Sequence, residues 1–262
     1  MNNIEKIITN KYHEYDEEQR LFKDKSHELE FLTTIHFIEK YLSKDSKILE
    51  IGAGTGAYSI YYAKKGYDVS SVELVDSNLA VLNNKIEPNM HINTFQGNAV
   101  KLDMFADNTF DVTLCLGPLY HLFDIDEMKK AISECIRVTK TNGVIFLAYI
   151  PNDVVMINWL LKKNKILQAS NFFDKDYNCK NNPEECFSVW KLEQFENIMK
   201  DYDVKFLENV GVSGLSIVLS DYVNNLTKEE FDIWVDYHLK TCTNNEILGY
   251  NSEIIYICQK EK

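Results

Sequence analysis

LEIGAGTG, residues 49 to 56, places three glycines at alternate positions after a short apolar run and before a helix-like run. Gly52 and Gly54 remove Cβ atoms where a strand turns sharply into a helix, so a ligand can approach the main chain closely. Gly52, Gly54 and Ala57 also satisfy the dinucleotide pattern G-x-G-x-x-G/A, so the glycines alone do not name the ligand.

Outward from this loop, strand patterns at 47–52, 68–75, 91–99 (of mixed polarity), 110–117 and 144–150 alternate with helical patterns at 57–65, 76–85 and 126–139. Gly66 follows two lysines and stops the first of these helices, and Asn142-Gly143 makes the turn before the fifth strand. Such alternation predicts a parallel sheet covered on both faces, because each right-handed crossover lays its helix on the sheet. After Pro151 the rhythm changes. Residues 151–200 carry helical and loop-like patches rich in Asn, Lys and aromatics. They are followed by a strand at 203–212, helical patches at 216–225 and 228–241, and a last strand at 253–260. Residues 1–45 read as a helical cap in which Leu29, Phe31, Leu32, Ile35, Ile38 and Leu42 keep one apolar face. The expected organisation is a cap over 1–45 and one α/β domain over 46–262, with a lid-like insertion at about 151–200.

With 45% hydrophobic and 26% charged residues, the chain has the composition of a globular protein that buries a full core. Its formal net charge of −12 argues against a nucleic-acid or anionic-membrane footprint, which needs clustered Lys and Arg. The first residues are charged without an apolar stretch, and no segment approaches the roughly 20 apolar residues of a membrane span, so a cytoplasmic location is expected. None of the six cysteines forms a C-x-x-C pair, and Cys115, Cys135 and Cys258 sit in apolar patterns, as reduced core residues do. Cys179 and Cys186 flank a polar loop that lacks the further ligands of a zinc site.

Three polar features stand beside the glycines. Glu73, at the end of the second strand, is where a carboxylate can take both hydroxyls of a ribose. Asn98 and Ala99 end the third strand, where an amide and a backbone N–H can read an adenine edge. Glu50, just before Gly52, suits a ligand carrying an amino group.

The ordered set LEIGAGTG, VSSVELV, QGNA, FDVTLCLGPLYHL and NGVIFLAYI resembles the class I S-adenosylmethionine (SAM) dependent methyltransferases over about residues 47–150. KYHEYDEEQRL and DYHLKTC are also similar to segments of small bacterial members whose acceptors are unassigned. The resemblance implies a Rossmann-like sheet of seven strands, mostly parallel, with the last strand inserted antiparallel. It implies SAM as cofactor, S-adenosylhomocysteine as product, and no metal. Glu50, Gly52, Ala53, Gly54 and Gly56 would line the methionine end, Glu73 would hold the ribose, and Leu74 would also contact the cofactor. Asn98 and Ala99 would face the adenine, and Leu116 and Gly117 would border the cofactor. Asn98 stands where family members often have Asp.

Further residues invite both a chemical and a structural reading. His121 and Tyr120 follow the fourth strand where substrate and cofactor meet, as proton carriers or as pocket wall. Tyr12, Tyr15 and Arg20 belong either to a lid over the cofactor or to a helix packed on the sheet. His238 and Cys242 share a helix face, and Asp124, Asp126 and Glu127 are either a metal-binding cluster or first-turn charges of a helix. Trp159, Phe172, Phe173, Phe187 and Trp190 line an apolar pocket or form the insertion's own core. The reading that results is a methyltransferase acting on an O, N or S atom of a small molecule, without nucleic-acid or membrane partners. Its alternatives are an NAD-dependent oxidoreductase and a catalytically silent SAM-binding sensor.

Overall fold

A computed structural model describes residues 3–14, 17–185 and 187–262. Its centre is β1 (Lys47–Ile51), which pairs in parallel with β2 (Asp68–Glu73) on one side and β4 (Phe110–Cys115) on the other. β3 (Ile92–Gln96) extends the sheet beyond β2, and β5 (Thr139–Pro151) extends it beyond β4, both in parallel. β8 (Ile254–Lys260) then runs antiparallel to β5, and β7 (Val204–Gly211) runs antiparallel to β8. The path is β3-β2-β1-β4-β5-β8-β7, with the inserted antiparallel last strand that the family resemblance implies. An eighth strand lies off this path: β6 (Val189–Trp190) pairs with Ile150 and Pro151 at the end of β5. Two residues are too few for periodicity to announce, so β6 is invisible in the sequence.

Alternation along the strands sorts side chains into two cores. Leu49, Ile51, Cys115, Ile145 and Leu147 face one way, with α5 (Ile125–Val138) and α7 (Leu192–Met199) packed over them. Ile48, Val112, Leu114, Phe146 and Ala148 face the other way, under α2 (Lys25–Glu39) and α3 (Ala57–Lys64). Burial on both faces is what lets these strands be almost continuously apolar. The Tyr149 and Phe195 rings stack with centroids 4.2 Å apart, a contact worth about 0.5–1.5 kcal/mol beyond its buried area.

Helix boundaries follow local chemistry. Asp24 caps α2 by accepting from His27 N–H, and Thr227 with Glu230 forms a reciprocal capping box on α9 (Lys228–Thr241). Asp124 caps α5 through the N–H of Asp126, so the acids at 124–127 are helix-start charges. The N-terminal cap comprises α1 (Asn3–Glu14), a 3-10 turn at Glu17–Gln19, and α2. α4 (Asp76–Asn84) follows β2. The insertion holds a π-helical stretch at Val155–Leu161, the short α6 (Ala169–Phe172), β6 and α7. α8 (Ser220–Val223) and α10 (Asn245–Leu248) flank α9. No helix among the described residues is long and apolar enough to cross a membrane.

Candidate active site

The glycine loop is held over the tip of β2: the N–H groups of Gly52 and Ala53 both donate to the Val72 carbonyl, at 2.8 and 3.0 Å. Gly52 has φ +73°, and a Cβ there would meet the Pro118 ring at 2.7 Å. A side chain is thus excluded twice, by backbone conformation and by the segment after β4. Gly56, at φ +86°, is the residue from which α3 starts, and its missing Cβ makes room for Leu82 on α4. Gly56 therefore shapes the loop from behind.

In front of the loop lies a cleft of about 120 Å³, to which Glu50, Gly52, Ala53 and Gly54 contribute from β1 and the loop. Glu73 and Leu74 enter it from β2, and Asn98 and Ala99 from the segment after β3. Leu116, Gly117, Tyr120 and His121 come from beyond β4, and Tyr12 from α1. Tyr15 lies outside the described residues, as does Cys186.

The carboxylates in this cleft are fixed in place. Glu73 accepts from the N–H of Gly54 at 2.7 Å and of Val75 at 2.8 Å, one on each oxygen. Burial raises its pKa, and these two N–H groups oppose the rise. Lone pairs remain on both oxygens for further donors, as a ribose diol would supply. Glu50 accepts from the Ser59 hydroxyl, which is also 2.6 Å from the Ser71 hydroxyl. Burial pushes the Glu50 carboxyl up to about 8 against the pull of Ser59, with the Glu73 charge adding to the rise. Asn98 Oδ1 accepts from Val100 N–H at 3.1 Å, which turns Nδ2 toward Glu5 of α1 at 2.7 Å. Its amide thus turns its donor side toward α1.

α1 lies across the cleft. Ile8 packs with Val75, Leu74 and Tyr12, and the Tyr12 hydroxyl and His121 Nε2 are hydrogen-bond partners 3.0 Å apart. Tyr120 Oη donates to the Leu116 carbonyl, and the Tyr120 carbonyl accepts from Ser188 N–H of the insertion at 2.6 Å. The turn carrying Tyr120 and His121 is therefore clamped between cap and insertion.

A second, larger chamber of about 650 Å³ meets the cleft at Tyr12, Glu17, Arg20 and Tyr120. Trp159 and Phe187 wall it, whereas Phe173 is buried in the insertion's own core with Phe172 packed against it, and Trp190 packs on the main core. The pocket-or-core choice thus divides residue by residue. Arg20 donates from Nε to Glu17 at 2.8 Å and from Nη1 to Glu30 at 2.7 Å. Burial works against its charge, yet Glu30 and Glu17 outweigh it and hold the guanidinium pKa well above its usual value. Glu253, the residue before β8, closes the same wall. Nothing local marks Glu253 in the sequence; Glu30 had one available signal, a carboxylate embedded among the buried Leu29, Phe31, Thr33 and Thr34 of α2.

Elsewhere, His238 and Cys242 are both buried, and burial lowers the His238 pKa to about 4. Among the described residues no group of three or more His, Cys, Asp or Glu is arranged to hold a metal ion.

Residues 49–147 match the methyltransferase domain family. A demethylmenaquinone methyltransferase of Renibacterium salmoninarum is 38% identical over 103 residues, which span 39% of this chain and 40% of that protein. A glycine/sarcosine N-methyltransferase of Aphanothece halophytica is 22% identical over 204 residues, or 72% of this chain and 74% of that one. A SAM-dependent methyltransferase structure from Methanosarcina mazei superposes with a TM-score of 0.55 at 19% identity, over 86% of this chain and 96% of that one. The family match over residues 49–147, the glycine loop, the strand order and the inserted antiparallel β8 together support a class I SAM-dependent methyltransferase.

Proposed function

We propose that the chain moves the sulfonium methyl group of SAM to an O, N or S atom of a small molecule by direct in-line transfer, leaving S-adenosylhomocysteine. The observation that carries this reading is the meeting of two cavities at Tyr12, Arg20 and Tyr120, one under the glycine loop and one walled by aromatics. SAM supplies an already activated methyl group, so the protein's task is alignment and exclusion of water.

The residues suit that cofactor. Glu73, pinned by Gly54 and Val75 N–H, is oriented to receive the ribose hydroxyls. Glu50 receives the methionine ammonium, and the loop at Gly52, Ala53 and Gly54 lets that end approach the backbone. Asn98 and Ala99 border the adenine, with Leu74 beside it, and Leu116 and Gly117 form the opposite edge. Tyr12 and His121 hold the cap against the reacting centre, and His121 can relay a proton that an acceptor releases. Residues 1–45 act as cap and 151–200 as lid. A small acceptor is favoured because both segments enclose the chamber and because the net charge of −12 disfavours nucleic acid. The names of the menaquinone and glycine/sarcosine relatives are of the same scale of substrate.

Isothermal titration with SAM, S-adenosylhomocysteine and NAD tests the reading. Binding of the first two without NAD is expected. Binding of NAD alone would mean that Gly52, Gly54 and Ala57 serve a dinucleotide and would end the methyltransferase proposal.

A further inference from the structure

The wall between cleft and chamber has an unusual charge count. Glu17 and Arg20 line both cavities and Glu30 and Glu253 line the chamber, and the Nε and Nη1 of Arg20 are already committed to Glu17 and Glu30. Glu253 is only 8% exposed and lines the chamber, yet no donor of a described residue reaches its carboxyl oxygens. A buried carboxyl group that no described donor reaches is costly even beside the Arg20 charge, and a cation entering the chamber would lower that cost.

Lys11, Lys23, Lys162 and Lys163 also line the chamber but are solvent-exposed, whereas Glu17 and Arg20 are half-buried and Glu30 and Glu253 are buried, so the acidic excess lies on the buried side. Tyr12, Tyr120, Trp159 and Phe187 present aromatic surface around the chamber, and aromatic faces attract ammonium groups. Phe187 already shows this: the Lys11 ammonium lies 5.2 Å from its ring centroid. Burial, reinforced by Glu30 and opposed by Arg20, holds the Glu253 carboxyl well above the usual range, so it can also take up a proton at neutral pH.

We propose that the methyl acceptor is a small amine whose nitrogen is received by Glu253 in the aromatic-walled chamber that meets the cofactor cleft. The proposal rests on the methyltransferase reading above, which makes the chamber an acceptor site. The bound ammonium first passes one proton to the Glu253 carboxylate and from there to solvent, which frees the nitrogen lone pair. In the transfer that lone pair forms the N–CH3 bond as the S–CH3 bond breaks, and the bonding pair stays on sulfur as the thioether, leaving a methylammonium product.

Trp159 provides a readout that needs no knowledge of the natural acceptor. Benzylamine, benzyl alcohol and benzoate, which share one ring, are titrated into the full-length protein saturated with S-adenosylhomocysteine while tryptophan fluorescence is followed. Trp159→Phe identifies the signal. Benzylamine should bind at least about tenfold more tightly than the alcohol or benzoate. Glu253→Gln should reduce that preference to within about twofold, Glu253→Asp should retain most of it, and both variants should keep their S-adenosylhomocysteine affinity. Should the Gln variant lose S-adenosylhomocysteine, the wild-type preference and the Asp variant decide. Equal binding of the alcohol, tighter binding of benzoate to Arg20, no saturable benzylamine binding, or a preference surviving Glu253→Gln would each overturn the amine proposal. Failure of the wild type to bind S-adenosylhomocysteine would instead overturn the methyltransferase reading.

Discussion

The cleft under the glycine loop and the chamber beside it are built in different ways. The cleft is made largely of backbone at consecutive strand ends: Gly52, Ala53 and Gly54 form its floor, and main-chain N–H groups fix Glu73. The chamber is made of side chains from distant segments, with Arg20 and Glu30 from the cap, Trp159 and Phe187 from the insertion, and Glu253 beside the last strand. A backbone-built site is robust to most substitutions and sensitive to a few glycines. A site built from side chains can change its ligand through single replacements while the fold stays the same.

The largest expected effect probes the backbone side. Gly52→Ala puts a Cβ into the Pro118 ring at a φ of +73°, so SAM affinity should fall by about 100-fold or more while the protein still folds. Near-normal affinity in titration would falsify the contrast. Glu73→Ala removes the one charged group the loop orients, and should weaken SAM by about 1.5–3 kcal/mol in the same assay. An unchanged affinity would move the ribose elsewhere.

Glu50 sharpens the comparison through protons. Its carboxyl is pushed up to about 8 from an ordinary 4.5, so the folded protein holds a proton that the unfolded chain has released between those values. The stability contributed by that protonated form is complete below the ordinary value and is lost as pH rises through about 8. Glu50→Gln should flatten this decline in denaturation curves. Seating the SAM ammonium beside Glu50 favours the carboxylate, so binding at pH 7 should release up to about one proton, read by titration in buffers of different ionisation enthalpy. Equal heats in all buffers would remove Glu50 from ammonium binding. The smallest effect is expected at the cap, where Tyr12→Phe deletes the hydrogen bond to His121 and should slow turnover by about 0.5–1.5 kcal/mol in barrier. No change in rate would reduce Tyr12 to packing.

The same contrast explains what could be read from the chain. The alternation of strands and helices, the glycine loop and Glu73 are local patterns, and local patterns survive in a linear text. The inserted antiparallel strand was legible only through the family resemblance carried by residues 47–150, since no periodicity records strand order. Glu253 and Arg20 were not legible as a pair, because only the sheet's closure brings the last strand beside the cap. The amide of Asn98 was legible as a residue but not as a donor, since Val100 and Glu5 set which side it shows.

β8 carries a consequence for biosynthesis. Residues 254–260 fill the gap between β5 and β7, so while these residues are still inside the ribosome β7 has no partner and β5 exposes an open edge. The glycine loop and its strands can pair long before then, because their contacts are closer in sequence. Glu253 reaches its place in the wall only as β8 docks. A nascent chain therefore acquires the cofactor side first and Glu253 last, and a chain stalled before residue 253 would carry the glycine loop without the carboxyl group to which the proposed amine docks.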